Sequence, residues 1–314
     1  MAQPWLSVVM PVHDGARHLP ATLDSVAACR PEGVEFLLYD SSENNACADI
    51  VSAYADRLAL RYIAMPEVRG WPEKTNLAVA DANARHVAML HQDDIWLPGH
   101  VEAARAAIAA HPGAAMNIAG SRFIDVNGRD LGQWSLPLRS GLWSGHDFGR
   151  RLIVQNFLAI PSPVVRRDAW LASGGMDPSL WYTADWDLYL KLARAGDIAI
   201  RPEATTAFRI HGSSLTMTGS RTAGAVSEQL QAVLQRHGAW FGIEQDRQLR
   251  ARTHASAAIN CSLAKGAAGQ SGWLLPILSN LFRLGPVNAL RYLHEARLAD
   301  RVLPRLRARR AGAL

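Results

Sequence analysis

Two adjacent carboxylates, Asp93 and Asp94, have the chemistry of a divalent-metal site. They follow an apolar run at residues 87–90 that has the length of a strand buried on both faces. Ligands of open α/β sheets bind at the carboxyl ends of strands, and Mg²⁺ or Mn²⁺ is usually held by carboxylates together with substrate phosphates. The alternative is a helix cap, because Pro98 opens an alanine-rich helical pattern. Taken alone, the pair favours the cap.

Asp185 is a candidate general base because it stands at the start of a predicted amphipathic helix. Leu188 and Leu192 are spaced i, i+4 and Gly196 ends the pattern, so Asp185 falls in or before the first turn. A carboxylate there can take a proton from a hydroxyl, although Asp185 or Thr183 can equally be an N-cap. Asp187 lies about 200° further around the helix, so we expect it to have a supporting role only.

His211 is a third candidate, directly after a strand predicted at residues 198–210. Arg209, Ser213 and Ser214 stand beside it, and these residue types can contact a phosphate or a metal ion. A lone histidine is more often structural, and both interpretations stay open.

The elements that must position these residues alternate between strands and helices. Strands are predicted at residues 6–12, 35–39, 59–64 and 87–90. Helices are predicted at residues 19–28, 48–58 and 72–84. This alternation is typical of βαβ units, whose right-handed crossovers bring all carboxyl ends to one edge of a parallel sheet. Asp14, Asp40 and the 93/94 pair therefore converge, which favours a site over a cap.

The second half of the chain has a less regular pattern. Further strands are predicted at residues 115–124, 156–165 and 198–210. A hairpin turn is predicted at 125–128, an irregular flap at 130–150 and a short helix at 166–173. From residue 222 the composition changes to Ala, Gln, Leu and Arg with helical spacing. We therefore predict a first domain at 1–220, with halves at 1–98 and 99–220, and a helical region at 221–314.

Composition excludes several protein classes. With 314 residues, 49% hydrophobic and 19% charged, the chain can bury a large core. Cys29, Cys47 and Cys261 are widely spaced, which suggests a reducing compartment without a disulfide framework. A strand pattern begins near the N-terminus and no run of about 20 apolar residues occurs, so we expect neither signal peptide nor membrane span. A cytoplasmic location is expected.

The net charge of +5 is concentrated at the C-terminal end. Residues 291–314 hold seven arginines against Glu295 and Asp300, which accounts for the whole excess. A diffuse nucleic-acid-binding face is therefore not expected. Together with the apolar stretch at 273–284, the basic tail suggests peripheral docking on the anionic inner face of a membrane. A helical cap with a frayed basic end is the equally weighted alternative.

Glycine-rich nucleotide cradles are missing from the sequence. The turn after the first strand, PVHDGARHL, has one glycine, and no G-x-x-x-x-G-K-[ST] motif occurs. A nucleotide would therefore be held by carboxylates, a metal ion and loop side chains.

Four segments in order resemble the motifs of family 2 glycosyltransferases with the GT-A fold: PVHDG at 11–15, LLYDSS at 37–42, RGWPEKTNLAVADA at 69–82 and HQDDIWLP at 91–98. GGMDPSL at 174–180 is similar to the family's G-G-F-D-type loop. The resemblance covers residues 5–215. It implies an α/β fold, a GT-A-like single Rossmann-type domain with a mostly parallel central sheet, here followed by a helical C-terminal extension.

The resemblance also implies positions for a nucleotide-sugar donor. Pro11 and Val12 would lie against the base, and Asp40 would accept a hydrogen bond from it, commonly from uracil or thymine. Lys74 and Asn76 would lie near the diphosphate and the ribose. The full expected donor set is Pro11, Val12, Asp14, Asp40, Lys74, Asn76, His91 and Asp93.

The same resemblance implies the ligands of a metal ion and the general base. Asp93 matches the metal-binding second Asp of a D-x-D motif, with Asp94 and His211 as further expected ligands of Mn²⁺ or Mg²⁺. His91 replaces the first Asp, and Ser41 stands where a second acidic residue often follows Asp40. Asp185 matches the Asp of an E-D motif that acts as general base, although Ala184 replaces the Glu.

The implied activity is inverting transfer of a hexosyl or deoxyhexosyl group from a UDP- or dTDP-linked donor to a glycan or lipid-linked acceptor. Aromatic residues flank the motifs, and we expect Trp181 or Trp186 to contact the acceptor. Two alternatives stay open, a sugar-phosphate nucleotidyltransferase and a non-catalytic nucleotide-sugar-binding relative. The missing glycine-rich loop disfavours the first, whereas the replacements at His91 and Ala184 keep the second open.

Overall fold

A computed structural model describes residues 3–212 and 223–310 of the chain. Ser213 and Ser214, predicted beside His211, and the predicted boundary at residue 220 lie outside the described residues. The strands are β1 (Leu6–Val12), β2 (Val34–Asp40), β3 (Ala59–Ala64), β4 (His86–Met89), β5 (Ile95–Trp96), β6 (Met116–Ile124), β7 (Asp130–Trp134), β8 (Gly141–Trp143), β9 (Pro163–Arg166) and β10 (Ile198–Arg209).

Helices flank the sheet and form the C-terminal part. They are α1 (Leu19–Ala28), α2 (Ala46–Ser52), α3 (Trp71–Ala80), α4 (His100–Ala110), α5 (Gly145–Leu152), α6 (Arg167–Ala172), α7 (Ala184–Ala195), α8 (Ala223–His237), α9 (Arg247–Ala267), α10 (Leu274–Ala296) and α11 (Leu298–Arg310).

The central sheet has the strand order β3-β2-β1-β4-β9-β6-β10-β5, with β7 paired to β6 and β8 to β10. Pairing is parallel from β3 to β4 and between β6 and β10. Strand β9 lies antiparallel between β4 and β6 and joins the two halves. The predicted α/β fold with a helical C-terminal part is confirmed, while the antiparallel pairings make the sheet more mixed than predicted.

Strands β1 and β4 are buried along their whole length, as their unbroken apolar runs predict. Strand β3, at the edge of the sheet, alternates between more and less exposed residues. Because β1 and β4 are parallel neighbours, the loops that follow them leave the sheet at the same edge. The predicted convergence of these two loops is therefore confirmed.

Three local predictions differ from the structure. The segment 130–150, predicted as an irregular flap, holds β7, β8 and the start of α5, and Ser144 Oγ caps that helix by accepting from the Asp147 amide at 3.1 Å. The strand predicted from residue 156 begins only at Pro163. Helix α4 begins at His100, after Gly99 in a left-handed conformation with a φ of 82°, so Pro98 precedes the helix.

The start of α4 also decides between two interpretations of the aspartate pair. No side chain caps this helix. Asp93 and Asp94 lie several residues before its first residue. The capping alternative is therefore wrong.

The C-terminal helices share one hydrophobic core with the sheet. Leu230 of α8, Ile259 of α9 and Tyr292 of α10 belong to the same buried cluster as Met89 of β4 and Leu190 of α7. Helix α11 packs on β7. In the parts of the chain that the structure describes, no helix has the length and apolarity needed to cross a bilayer.

Candidate active site

A cavity of about 380 Å³ lies at the carboxyl edge of the sheet. Its lining includes Pro11 near the end of β1, His13 after that strand, and His91 and Asp93 after β4. It also includes residues of the segment 154–160, of the start of α7 and of the helices α9 and α11. The cavity therefore brings together regions that are more than 200 residues apart in the sequence.

Asp93 and His211 meet at the sheet end of this cavity. The Nε2 atom of His211 lies 2.7 Å from Oδ2 of Asp93, and the side chains are 10% and 20% exposed. Burial alone would raise the pKa of Asp93. The hydrogen bond to His211 and the charges of His91 and His211 outweigh burial and hold the pKa of Asp93 below its usual value. Asp93 is therefore an anionic group on the cavity wall.

Asp94, the third predicted metal ligand, does not line the cavity. It is fully buried, and its Oδ1 accepts a hydrogen bond from the backbone amide of Arg209 at 3.0 Å. Burial and the charge of Asp93 raise the pKa of Asp94 well above its usual value. The Arg209 side chain donates to the carbonyls of Asp93 and Asp125 at 2.7 and 3.0 Å. Asp94 thus fixes β10 beside the Asp93 loop.

His91 faces the cavity beside Asp93. Its ring lies edge-on to Trp71 with centroids 5.2 Å apart, and within the described residues its buried Nε2 has no hydrogen-bond partner. Burial, and to a lesser degree the charge of Lys74, lowers the pKa of His91 despite the opposing charge of Asp93. The lowered pKa favours the uncharged ring, and its Nε2 is available to a ligand.

Lys74 lies at the base of the same wall. It is buried, and its Nζ donates to the carbonyl oxygen of Val12 and to Ser41 Oγ, the latter at 2.7 Å. Burial lowers the pKa of Lys74 to about 8, against the charge of Asp40. Lys74 lines the cavity, whereas Val12 contributes to it only by holding Lys74.

Three other predicted donor residues do not line the cavity. Asp40 is buried, and its Oδ1 accepts from the Ser42 amide at 2.7 Å while its Oδ2 accepts from Tyr62 Oη at 2.7 Å. Asp14 is exposed in a left-handed conformation with a φ of 49°. Asn76 bonds to both the amide and the carbonyl of Met176, at 2.9 and 2.8 Å.

Asn76 thereby holds the loop at 174–177 against α3. Gly175 in this loop has a φ of 67°, and a Cβ there would lie 2.5 Å from Asn76 Oδ1. Only glycine fits this approach without a shift of backbone or amide. The GGMD segment is therefore positioned by Asn76 and not by a ligand in the cavity.

Asp185 also lines the cavity, from the first turn of α7. Its Oδ2 accepts from Asn156 Nδ2 at 2.9 Å and its Oδ1 from the Trp186 amide at 2.8 Å. Burial raises the pKa of Asp185 to about 6, although both hydrogen bonds oppose the shift. Asp185 is the second residue of the helix, and Thr183, at the N-cap position, makes no side-chain cap. The N-cap position therefore falls on Thr183, one of the two residues that the alternative named, and not on Asp185.

Asp187 has a separate task on the buried side of α7. Its Oδ1 accepts from Arg236 Nη1 at 2.7 Å and lies 2.9 Å from His237 Nε2, and its Oδ2 forms an ion pair with Lys191 at 2.7 Å. Burial opposes ionisation, but these partners lower the pKa of Asp187 to about 2. Because Arg236 and His237 end α8, Asp187 fastens the C-terminal helices to α7.

Both predicted acceptor tryptophans line the cavity. Trp181 is partly exposed, and its carbonyl accepts from Trp71 Nε1 at 2.9 Å. Trp186 is buried and donates through Nε1 to the Leu152 carbonyl at 2.9 Å. Trp181 therefore offers more free surface to a ligand.

Sequence reasoning missed two parts of the site. Asn156, which orients Asp185, lies in a segment that was predicted as a strand, and no motif marks it. Arg301 and Arg305 of α11 line the cavity, although the sequence placed them in a surface tail. Their i, i+4 spacing puts them on one face of a helix, which was the available signal.

The sequence model of glycosyl transferase family 2 matches residues 7–158. An uncharacterized glycosyltransferase of Rickettsia prowazekii is 24% identical over 228 residues, 68% of this chain and 67% of the relative. One from Rickettsia typhi is 23% identical over 221 residues, 68% of this chain and 67% of the relative.

Two solved structures are similar in fold. Residues 1–349 of Staphylococcus aureus TarS, in complex with UDP-GlcNAc, superpose with a TM-score of 0.58 at 16% identity, covering 88% of each chain. The mannosyltransferase PcManGT from Pyrobaculum calidifontis, in complex with GDP-Man and Mn²⁺, superposes with a TM-score of 0.52 at 13% identity, covering 98% of this chain and 87% of that chain.

Proposed function

We propose that this chain, which matches the sequence model of glycosyl transferase family 2 over residues 7–158 and has the predicted GT-A-like fold, transfers a sugar from a nucleotide-diphospho-sugar to an acceptor hydroxyl with inversion. One observation carries the proposal. A single cavity is lined both by the anionic Asp93 with its partner His211 and by Asp185, whose pKa is raised to about 6. Inverting transfer needs a charged donor site and a base on opposite sides of the sugar.

The donor would lie along the wall formed by Pro11, Lys74 and Asp93. The structural neighbours contain UDP-GlcNAc or GDP-Man, which supports a nucleotide-sugar donor. A UDP- or dTDP-linked sugar follows from the predicted role of Asp40 toward the base. In this role an N–H group of the nucleobase would donate a hydrogen bond to Asp40 Oδ1 in place of the Ser42 hydroxyl.

A divalent cation, Mn²⁺ or Mg²⁺, fits the donor set at Asp93. Within the described residues no group of three or more His, Cys, Asp or Glu side chains forms a metal site. Ions of this kind need only one or two protein carboxylates when substrate phosphates complete their coordination. Asp93 would bind the ion through one oxygen while His211 orients the other, and the ion would supply positive charge to the leaving diphosphate. The Mn²⁺ in PcManGT supports this proposal.

Asp185 would act as the general base. Asn156 holds one of its oxygens at 2.9 Å, so the carboxylate is oriented before the acceptor binds. The acceptor hydroxyl would give its proton to Asp185 while its oxygen bonds to the anomeric carbon. The bond from that carbon to the diphosphate oxygen breaks at the same time, and the nucleoside diphosphate leaves on the side of Asp93. Trp181 would stack on the acceptor sugar.

Peripheral membrane association is the second part of the proposal. Helix α10, which is interrupted by a kink at Gly285, exposes large apolar side chains on both sides of the kink, among them Leu275 at 75%, Phe282 at 88% and Val287 at 75%. The exposed Arg283 and Arg291 accompany them. Apolar side chains with adjacent arginines are the composition of helices that lie on anionic membranes, which supports a lipid-linked or cell-surface glycan acceptor. Fewer arginines of the basic tail can contact a membrane than predicted, because Arg301 and Arg305 line the cavity.

The test is a donor screen by thermal shift, with and without Mn²⁺, on the wild type and on Asp93→Ala. Donors that bind are then assayed for release of nucleoside diphosphate. A donor that stabilises the wild type only with metal, and is turned over, supports the proposal. Stabilisation without turnover, by donors alone or with candidate glycan acceptors, would instead favour a non-catalytic binding protein. The absence of binding by any nucleotide-sugar would refute the transferase itself.

A further inference from the structure

Two arginines of α11, Arg301 and Arg305, enter the cavity without a carboxylate partner. They are spaced i, i+4 and both line the wall that includes Asp185 and Tyr182. No ion pair joins either guanidinium to an acidic side chain among residues 3–212 and 223–310. The sequence at 213–222 contains no Asp or Glu either.

The polar contacts of the two arginines are few. Arg301 Nη2 donates to Asn260 Oδ1 at 3.0 Å, while its Nη1 is buried and has no hydrogen-bond partner in the described chain. Arg305 Nη1 donates to the Arg301 carbonyl at 2.6 Å, and its guanidinium carbon lies 5.7 Å from the centre of the Phe123 ring. Both cations are thus positioned, but several of their N–H groups remain available.

Their surroundings make this arrangement costly without a ligand. Burial lowers the pKa of Arg301, and burial together with the charge of Arg301 lowers that of Arg305 to about 10. Arg301 and Arg305 are both only partly exposed, and an anion that pairs with them would offset the repulsion and the desolvation of the two like charges. The other arginines near this end of the chain are differently placed. Arg291 pairs with Glu295 at 2.9 Å, and Arg309 is exposed.

The position of the arginines indicates which substrate would bring that anion. The Tyr182 hydroxyl interacts electrostatically with Arg301, Arg305 and Asp185, so these groups surround the same part of the cavity. The groups that interact electrostatically with Asp93 include His211, Asp94 and Arg209, and neither Arg301 nor Arg305 is among the groups that shift its pKa. The arginine pair therefore lies on the side of the general base, where the acceptor would bind.

We propose that Arg301 and Arg305 form an anion subsite for the acceptor, which carries a phosphate or a carboxylate close to the hydroxyl that is glycosylated. This inference rests on the proposed transferase function and adds the chemical class of the acceptor. Guanidinium groups bind both anions through paired N–H donors, and two of them four residues apart can span one phosphate. Binding of the acceptor anion would also neutralise the pair and bring the hydroxyl to Asp185.

The experiment measures anion binding by calorimetry to the full chain already saturated with a nucleoside diphosphate and Mn²⁺, so that the donor site is filled. The probes are inorganic phosphate and acetate, which separate a phosphate-bearing from a carboxylate-bearing acceptor. The variants are Arg301→Gln, Arg305→Gln and the double substitution. Arg309→Gln is the matched control, because Arg309 lies on the same helix but is exposed.

We expect at least one probe to bind the wild type and Arg309→Gln equally, and its affinity to fall at least tenfold in each single variant. Affinity for the nucleoside diphosphate, measured without the probes, should change less than twofold. Equal probe binding by the variants, or binding of neither probe, would overturn the inference. A parallel loss of nucleoside diphosphate affinity would also overturn it, since the arginines would then serve the donor. If the double variant fails to fold, the single variants decide. The failure of every nucleotide-sugar to bind would instead refute the proposed function.

Discussion

Replacing Asp185 by Asn should remove the activity and stabilise the protein at the same time. Burial raises the pKa of this carboxyl from 3.8 to about 6. Its ionised form, present at pH 7, therefore lowers the free energy of unfolding. The difference corresponds to about 3 kcal/mol at 1.36 kcal/mol per pH unit, an upper value because the side chain meets solvent in the cavity. A general base of this kind contributes about 10²–10⁴ in rate.

The sign of the stability effect follows from linkage. Because the pKa in the folded state is above that in the unfolded state, the folded protein binds more protons between about pH 4 and 6. The destabilisation is absent below pH 4 and complete above about pH 7. The Asn side chain loses one acceptor, since Asn156 Nδ2 and the Trp186 amide both donate to Asp185, which costs about 1 kcal/mol. The net gain at pH 7 is about 1–2 kcal/mol, or a few degrees in Tm.

The assay pairs thermal unfolding at pH 4.5 and 7.5 with initial rates of nucleoside diphosphate release. In the wild type, kcat/KM should fall about tenfold from pH 7 to pH 5, as the ionised fraction falls from about nine-tenths to about one-tenth. Asp185→Asn should show a higher Tm than the wild type at pH 7.5, with the advantage reduced at pH 4.5. An Asn variant that keeps wild-type rates, or that unfolds at a lower temperature at pH 7.5, would refute the assignment.

Asp187 is the matched control in the same helix. Its partners lower its pKa to about 2, so its stabilising contribution is present at neutral pH and is lost as the pH falls from about 4 to 2. Removing one partner of a buried charge cluster typically costs about 3–5 kcal/mol. Asp187→Asn should therefore lower Tm at pH 7.5, the opposite of Asp185→Asn. If both variants shift Tm in the same direction, the difference in their environments is not what the structure indicates.

Three further predictions concern the metal, the loop and the membrane. Asp93→Ala should lose the metal-dependent part of the donor-induced thermal shift but keep the Tm of the free protein within a few degrees, and an unchanged shift would place the metal elsewhere. Gly175→Ala should destabilise the fold by about 1–3 kcal/mol in denaturant titration, because its Cβ would lie 2.5 Å from Asn76 Oδ1 at a φ of 67°; a neutral effect would mean that the loop can move. Phe282→Ser should reduce sedimentation with anionic vesicles, whereas Leu171→Ser, at an exposed leucine on α6, should not, and equal binding by both would exclude docking through α10.

The strands of the N-terminal half were predictable because their signal is local. The bounds of β1 and β3 agree with those predicted from the sequence, and α1 does as well. A strand buried on both faces needs an unbroken apolar run, and the residue types that follow it mark its end. The segment 130–150 lacked such a signal, since short edge strands that pair antiparallel carry little periodicity.

Site residues were predictable where the backbone alone directs a side chain to the sheet edge. Lys74, His91, Asp93, Asp185 and His211 all line the cavity, as their positions after strands or at helix starts suggested. Asp40 and Asn76 carry the expected residue types, yet both are engaged in hydrogen bonds with neighbouring segments. A motif specifies which residue stands at a position, and the partners it finds there depend on packing.

The sequence by itself determined the order of the elements and the sheet edge on which the polar loops meet, because these follow from short-range patterning and from the handedness of crossovers. Only the tertiary structure decided which carboxylates face the cavity. Asp93 and Asp94 are neighbours in sequence, yet one lies on the cavity wall and the other is buried against Arg209. The tertiary structure likewise decided that Arg301 and Arg305 line the cavity. Helix α11 packs on β7, from which it is separated by more than 100 residues in the sequence. Contacts of such long range leave no local pattern, since they depend on which surfaces remain to be covered once the sheet and its helices have formed.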